Sequence, residues 1–168
     1  MKRIICVLVI LSLLSLFGCS AGSYKNPVSF YYPSAEYFHR TPSAVIAPQT
    51  RYADDSTDIS AILSLYLQGP TDPDLVSAFP QGTVLISAVQ EGQVLHVTLS
   101  DSAGTLTGID LTLACVSLGK TCLELTDAQT VQIRAETVQL DGDAVITVSA
   151  DGLILTDESH APETETDK

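Results

Sequence analysis

The chain has 168 residues, a length that suits one domain, and carries eight Lys and Arg against twenty Asp and Glu, a formal charge of −12. So acidic a chain repels nucleic acid and anionic lipid headgroups, which excludes both as electrostatic partners. The acidic balance reads first as solubility; it would also suit a cationic partner.

The chain opens with Lys2 and Arg3, then an apolar run from Ile4 to Phe17, then Gly18, Cys19 and Ser20. The run is too short and wrongly flanked for a transmembrane helix, and reads as a secretory signal. Leu16-Phe17-Gly18-Cys19 resembles the lipobox of bacterial lipoproteins, although Phe17 is bulkier than the residue usual at its place. The resemblance implies a diacylglyceryl group on the Cys19 thiol and cleavage before it. Ordinary secretory cleavage or a retained anchor are the alternatives. Cys6 lies within the signal and carries no implied function. Removing residues 1–18 leaves 150 residues with six Lys and Arg facing twenty Asp and Glu, a net charge of −14. Attachment to the membrane then rests on the lipid, at about 0.8 kcal/mol per buried CH₂. Residues 19–27 are small and polar, a tether between lipid and domain.

The domain is expected over residues 28–157. "VSFYY", Val28 to Tyr32, is its first strand, rich in aromatic and branched residues. "AVIAPQTRYA", Ala44 to Ala53, begins as a short strand that Pro48 should blunt. "DDSTDISAILSLYLQG" is a helix with Asp55 or Ser56 as cap. Its stripe is Ile59, Ile62, Leu63, Tyr66 and Leu67, and Gly69-Pro70 stops it. "TDPD" has capping-box spacing, Thr71 to Asp74, and predicts one or two helical turns over "LVSAF". "TVLISAVQ" and "QVLHVTLS" alternate with period two and form a hairpin about Glu91-Gly92. Leu95, Val97 and Leu99 share its inner face, and His96 and Thr98 its outer one.

A second helix is predicted from Ile109 to Leu125, with Leu111, Cys115, Leu118, Cys122 and Leu125 on one stripe. Gly119 lies within it at a cost of about 1 kcal/mol against Ala. "TVQIRAETVQL" is a strand with Val131, Ile133 and Ala135 inward. "AVITVS" and "LILT" are short strands of a C-terminal β extension. Residues 158–168 are an acidic tail expected to be disordered. The order predicts an α+β fold (in the broad sense α/β): a single two-layer domain, a mixed β-sheet with two main helices packed on it.

Several of these stretches, in this order, resemble the sporulation and spore-germination domain called GerMN. They are "VSFYY", "IAPQTRYA", "AILSLYLQGP", and above all "LVSAFPQGTVLISAVQEGQVLHVTLS", with its Pro-x-Gly-Thr turn feeding a hairpin. "ACVSLGKTCLEL" and "TVQIRAE" occupy the place of the family's second helix and last strand. "TDAQ" stands where the family often has a Gly-containing turn, and the β segment after Glu136 lies outside the resemblance. The resemblance implies a role in spore formation or germination, through protein–protein or envelope assembly.

Chemistry is sparse. No G-x-S-x-G is present. The three histidines, His39, His96 and His160, fall in a loop, on an outward strand face and in the tail. Cys115 and Cys122 would stand about 10 Å apart along one helix, beyond the roughly 7 Å between Cα atoms that a disulfide spans. They read as small apolar core residues. "DGD" and "ADG" lack the spacing of a calcium loop and read as turns. Every Gly and Pro between Tyr66 and Thr83 has a structural use, so that segment is a joint between elements. The expectation is therefore no enzyme, no cofactor, no metal and no nucleic-acid partner. Cys19 is the one assigned site, the location is the extracytoplasmic face of the cell membrane, and the partner is a protein of the envelope. A small binder of a ligand or cell-wall fragment is the alternative.

Overall fold

The computed structural model describes residues 26–38, 45–53, 58–150 and 152–154. The signal, Cys19, most of the tether, Asp55, Ser56, His39, His160 and the acidic tail lie outside the described residues.

β1 (Asn26–Pro33) and β2 (Ile46–Ala53) form an antiparallel two-stranded sheet. Val28, Phe30 and Tyr32 point into the core, the alternation that a half-buried strand requires. Pro48 does not blunt β2: it lies inside the strand, opposite Tyr31. The Tyr31 N–H turns away from β2 and donates to Thr121 Oγ1 at 2.9 Å. The facing position on β2 likewise points outward, at a sheet edge, where a missing N–H costs no ladder bond.

Helix α1 (Ile59–Tyr66) starts at Asp58, whose Oδ1 accepts from the Ala61 N–H at 2.7 Å. The cap is thus Asp58, not Asp55 or Ser56: three residues before the first bonded amide is where a carboxylate reaches it. Leu63 and Tyr66 are buried, and Gly69, at φ +87, ends the helix in the left-handed region.

The helix expected over "LVSAF" does not form. Thr71 is taken by Gln49, which accepts from its N–H at 3.0 Å and donates to its Oγ1 at 2.7 Å. Asp72 accepts from the Asp74 N–H instead, closing a tight turn. Val76 N–H then donates to Pro33 O, and Asp74 O accepts from Ala35 N–H. Tertiary partners satisfy the backbone that a helix would have satisfied locally.

Among the described residues five strands form the main sheet in the order β3 (Leu85–Glu91), β4 (Val94–Leu99), β5 (Thr130–Ala135), β6 (Ile146–Ser149), β7 (Gly152–Ile154). Only β4 and β5 are parallel, and the crossover between them is α2 (Gly108–Leu125). The hairpin turn is Gly92–Gln93, one residue later than expected, because Glu91 still pairs with Val94. β6 and β7 extend the same sheet and are no separate appendage.

α2 covers the inner face of this sheet, where Leu95, Val97, Leu99, Val131, Ile133, Ile146 and Val148 are buried. Each fully buried aliphatic side chain there contributes about 1.5–3 kcal/mol. The predicted stripe of α2 is buried except for Leu125, which is partly so, and Leu113, Ala114, Ser117, Gly119 and Thr121 are buried beside it. The helix is wedged between the main sheet and β1, so more than one stripe is covered. Asp141 Oδ2 accepts from the Gly108 N–H at 2.8 Å, which ties the start of α2 to the turn after Leu140.

A second carboxylate ties the same end of the sheet. Asp101 accepts from the Thr137 N–H at 2.8 Å, the Val138 N–H at 3.3 Å and the Thr137 hydroxyl. These bonds, the Thr137 hydroxyl first, hold its carboxyl below the usual carboxylate range. A lowered folded pKa contributes stability above the unfolded value near 3.8, and that stability is lost as pH falls through the folded value. Asp101→Asn should therefore flatten the acid limb of a plot of melting temperature against pH. An acid limb identical to wild type would show that the clamp carries no stability.

Candidate functional site

The joint from Tyr66 to Thr83 is built of turns. Gly69 N–H donates to Tyr66 O, Thr83 N–H donates to Pro80 O, and Gly82 sits at φ +91. Phe79 and Leu75 are buried. Its Gly and Pro residues shape the path of the chain.

Cys115 and Cys122 are free thiols, both buried, with burial alone pushing each up to about 12. At neutral pH they are fully protonated and poorly nucleophilic. A thiol reagent should label the native chain far more slowly than the urea-unfolded chain. Equal rates would contradict their burial.

His96 lies on the outer face of β4, as its spacing predicts, and its Nε2 stands 3.9 Å from Glu91 Oε2. That is the outer limit of an ion pair and beyond hydrogen-bond distance. Beyond it, Arg134 donates from Nε to Thr98 Oγ1 at 3.0 Å. With Ser87, Val89 and Gln132 these groups line an open concavity of about 300 Å³ on the face that α2 leaves bare. No hydrogen bond joins Ser87 to His96, so Ser87, His96 and Glu91 do not form a nucleophile–base–acid relay. Among the described residues no group of three His, Cys, Asp or Glu could hold a metal ion. "DGD" is a turn, with Asp141 and Gly142 at positive φ and Leu140 bridged to Asp143.

The surface feature that sequence reasoning missed is the edge of the main sheet. β3 pairs with β4 on one side, and among the described residues no strand pairs on the other. Val84, Ile86 and Val89 are exposed along it at 53%, 46% and 51%. A β-bulge between Leu85 and Ser87 shifts the register at Ile86. Alternation revealed the strand; nothing local revealed that it would be outermost.

Fold and surface define a small α+β module with helices on one face of a mixed sheet and, among the described residues, an open opposite face and an open strand edge. The chain belongs to the Germane family, described as sporulation and spore germination, whose model matches residues 29–141. Among solved structures, it is similar to the tandem GerMN domains of the sporulation protein GerM from Bacillus subtilis. There the identity is 17%, the TM-score 0.57, and the match covers 76% of this chain and 46% of that one. The chain thus spans about half the length of that tandem. The first GerMN domain of the same protein matches at 13% identity and TM-score 0.55, covering 68% of this chain and 86% of that one. Such identities establish the fold. No curated protein sequence matches.

Proposed function

We propose that this protein is a lipid-anchored, extracytoplasmic module without catalytic activity that assembles with a protein partner of the cell envelope during spore formation or germination. The observation that carries the reading is the unpaired edge of β3, with Val84, Ile86 and Val89 exposed along it. Exposed apolar side chains on an unpaired edge are a liability unless something covers them. Family membership supports the cellular setting.

The anchor is Cys19, through the lipid that the lipobox-like "LFGC" implies. Cys19→Ala should move the protein from the membrane to the soluble fraction, or leave an uncut precursor. Mass spectrometry finding the mature chain beginning elsewhere, without lipid, would sink this assignment. The partner is sought by photo-crosslinking from position 89 in sporulating cells, with the exposed Ile109 at the start of α2 as the control position. Crosslinks from 89 alone support the assembly reading; a pattern shared by both positions, or no crosslink from either, contradicts it.

One observation favours a second reading, a small binder of a solute or cell-wall fragment. The concavity beside Arg134, His96 and Gln132 combines polar groups with Val89 and Val97. Its volume is at the low end for ligand sites, which run from about 300 Å³ upward. Saturable binding of a muropeptide that is lost in Arg134→Gln would favour this reading over assembly.

A further inference from the structure

A strand edge offers backbone hydrogen bonds to any extended segment, and side chains and charge that choose among segments. β3 supplies both. The two-residue turn at Gly92–Gln93, with Gly92 at φ +60, makes Glu91–Val94 a hydrogen-bonded pair. Alternation then makes Gln90–Leu95 and Ala88–Val97 the pairs whose backbone groups turn away from each other. The N–H and C=O of Ala88 and Gln90 therefore face the unpaired side. Register is regular from Ser87 to Glu91, five residues, close to the length of an ordinary strand.

Charge narrows the occupant. Between Arg51 and Lys120 the chain has no Lys or Arg, and it has eight Asp and Glu. β3, its hairpin partner β4 and the neighbouring α1 all lie within that stretch. Glu91 closes the edge with its side chain 75% exposed. The edge has the Glu91 carboxylate at its hairpin end and no lysine, the residue that most often guards exposed edges. A second copy of this chain carries the same net negative charge, so charge opposes self-pairing. A segment with Lys or Arg is attracted.

We infer that β3 accepts an extended, Lys- or Arg-containing segment of a partner protein as a sixth strand of the main sheet. The backbone of Ala88 and Gln90 holds it, the exposed face of Val89 packs on it, and the Glu91 carboxylate within this acidic stretch selects for its charge. This rests on the reading of the domain as an interaction module and adds the chemistry of the partner.

The test uses the full mature chain and two fluorescent peptides with one alternating Val/Thr pattern, one carrying lysines and its twin carrying glutamates. The Lys peptide should bind at least about tenfold more tightly than the Glu twin, a ratio equivalent to 1.4 kcal/mol. The preference should shrink as salt rises. Amide exchange should slow at Ala88 and Gln90. Gln90→Pro removes one outward N–H without touching the hairpin ladder and should abolish binding. Should that variant misfold, Val89→Lys, which repels the peptide from a folded edge, should weaken binding at least about tenfold. Equal affinity for the twins, no binding of either, slowed exchange elsewhere than β3, or wild-type affinity in both variants would overturn the inference. So would wild-type self-association that Gln90→Pro abolishes, since a second copy would then be the occupant. The crosslinking experiment separates the two claims: crosslinks from position 89 to a partner, with peptide binding unaffected by the β3 variants, leave the module reading standing and remove this one.

Discussion

Gly119→Ala is expected to destabilise the protein by about 1–3 kcal/mol, the range for overpacking a filled core, although Ala is the better helix former by about 1 kcal/mol. A Cβ at position 119 would lie 2.5 Å from Val148 Cγ1, 2.6 Å from its Cβ and 2.9 Å from its Cγ2. Rotating Val148 moves its two methyl groups but not its Cβ, so the clash has no rotamer that relieves it. α2 crosses β6 at this point, and the missing side chain is what lets helix and strand approach. Val148→Ala in the Gly119→Ala background should recover only part of the loss, because the 2.6 Å contact remains. Val148→Gly should make the two changes strongly non-additive in a double-mutant cycle. A Gly119→Ala variant melting at or above wild type would mean that the helix can move off the sheet cheaply.

The aromatic cluster gives the second large effect, with opposite signs at two stacked rings. Tyr32 and Tyr66 lie parallel, centroids 4.7 Å apart and planes within 5°, and Phe30 meets both edge-on. Tyr32 Oη donates to Tyr66 O at 2.8 Å, at the last turn of α1. Tyr66 Oη is buried with no hydrogen-bond partner. Tyr32→Phe should therefore cost about 1 kcal/mol, the net value of a typical hydrogen bond. Tyr66→Phe should be neutral or stabilise by about 1 kcal/mol or more, because it removes a desolvated hydroxyl and keeps the ring. Denaturant midpoints at constant m-value decide the matter, and equal losses in the two variants would refute the distinction. Burial also raises both phenols above the usual tyrosine value of 10.0. A raised folded pKa contributes stability below the unfolded value that is lost as pH climbs past it. Stability should fall above about pH 10, and Tyr66→Phe should soften that fall.

Much of this architecture is determined by the sequence alone. Val28, Phe30 and Tyr32 alternate strongly enough to fix β1 and its buried face. Leu111, Cys115, Leu118 and Cys122 fix the core stripe of α2, and the thiol spacing along it puts a disulfide out of reach. Leu95, Val97 and Leu99 fix which side of β4 meets the helices. The order of motifs from "VSFYY" to "TVQIRAE" marks the family. The strand and helix faces are legible because they depend on periodicity, which is a local property of the chain; the family is legible by resemblance.

The tertiary structure decided the rest. "TDPDLVSAF" has a capping-box spacing, yet Gln49, Pro33 and Ala35 take the hydrogen bonds that a helix would have made. Pro48 is harmless because its position faces outward from an edge, which depends on a strand seventeen residues earlier. Gly119 looks like a weakness of α2 until Val148 is placed against it. The candidate site is the clearest case. "LISAVQE" reads as a strand, but whether its second side is paired depends on where β4, β5, β6 and β7 settle. Strand order in a sheet is a global property, fixed here by the parallel crossover of α2 that puts β5 on the far side of β4 and leaves β3 outermost.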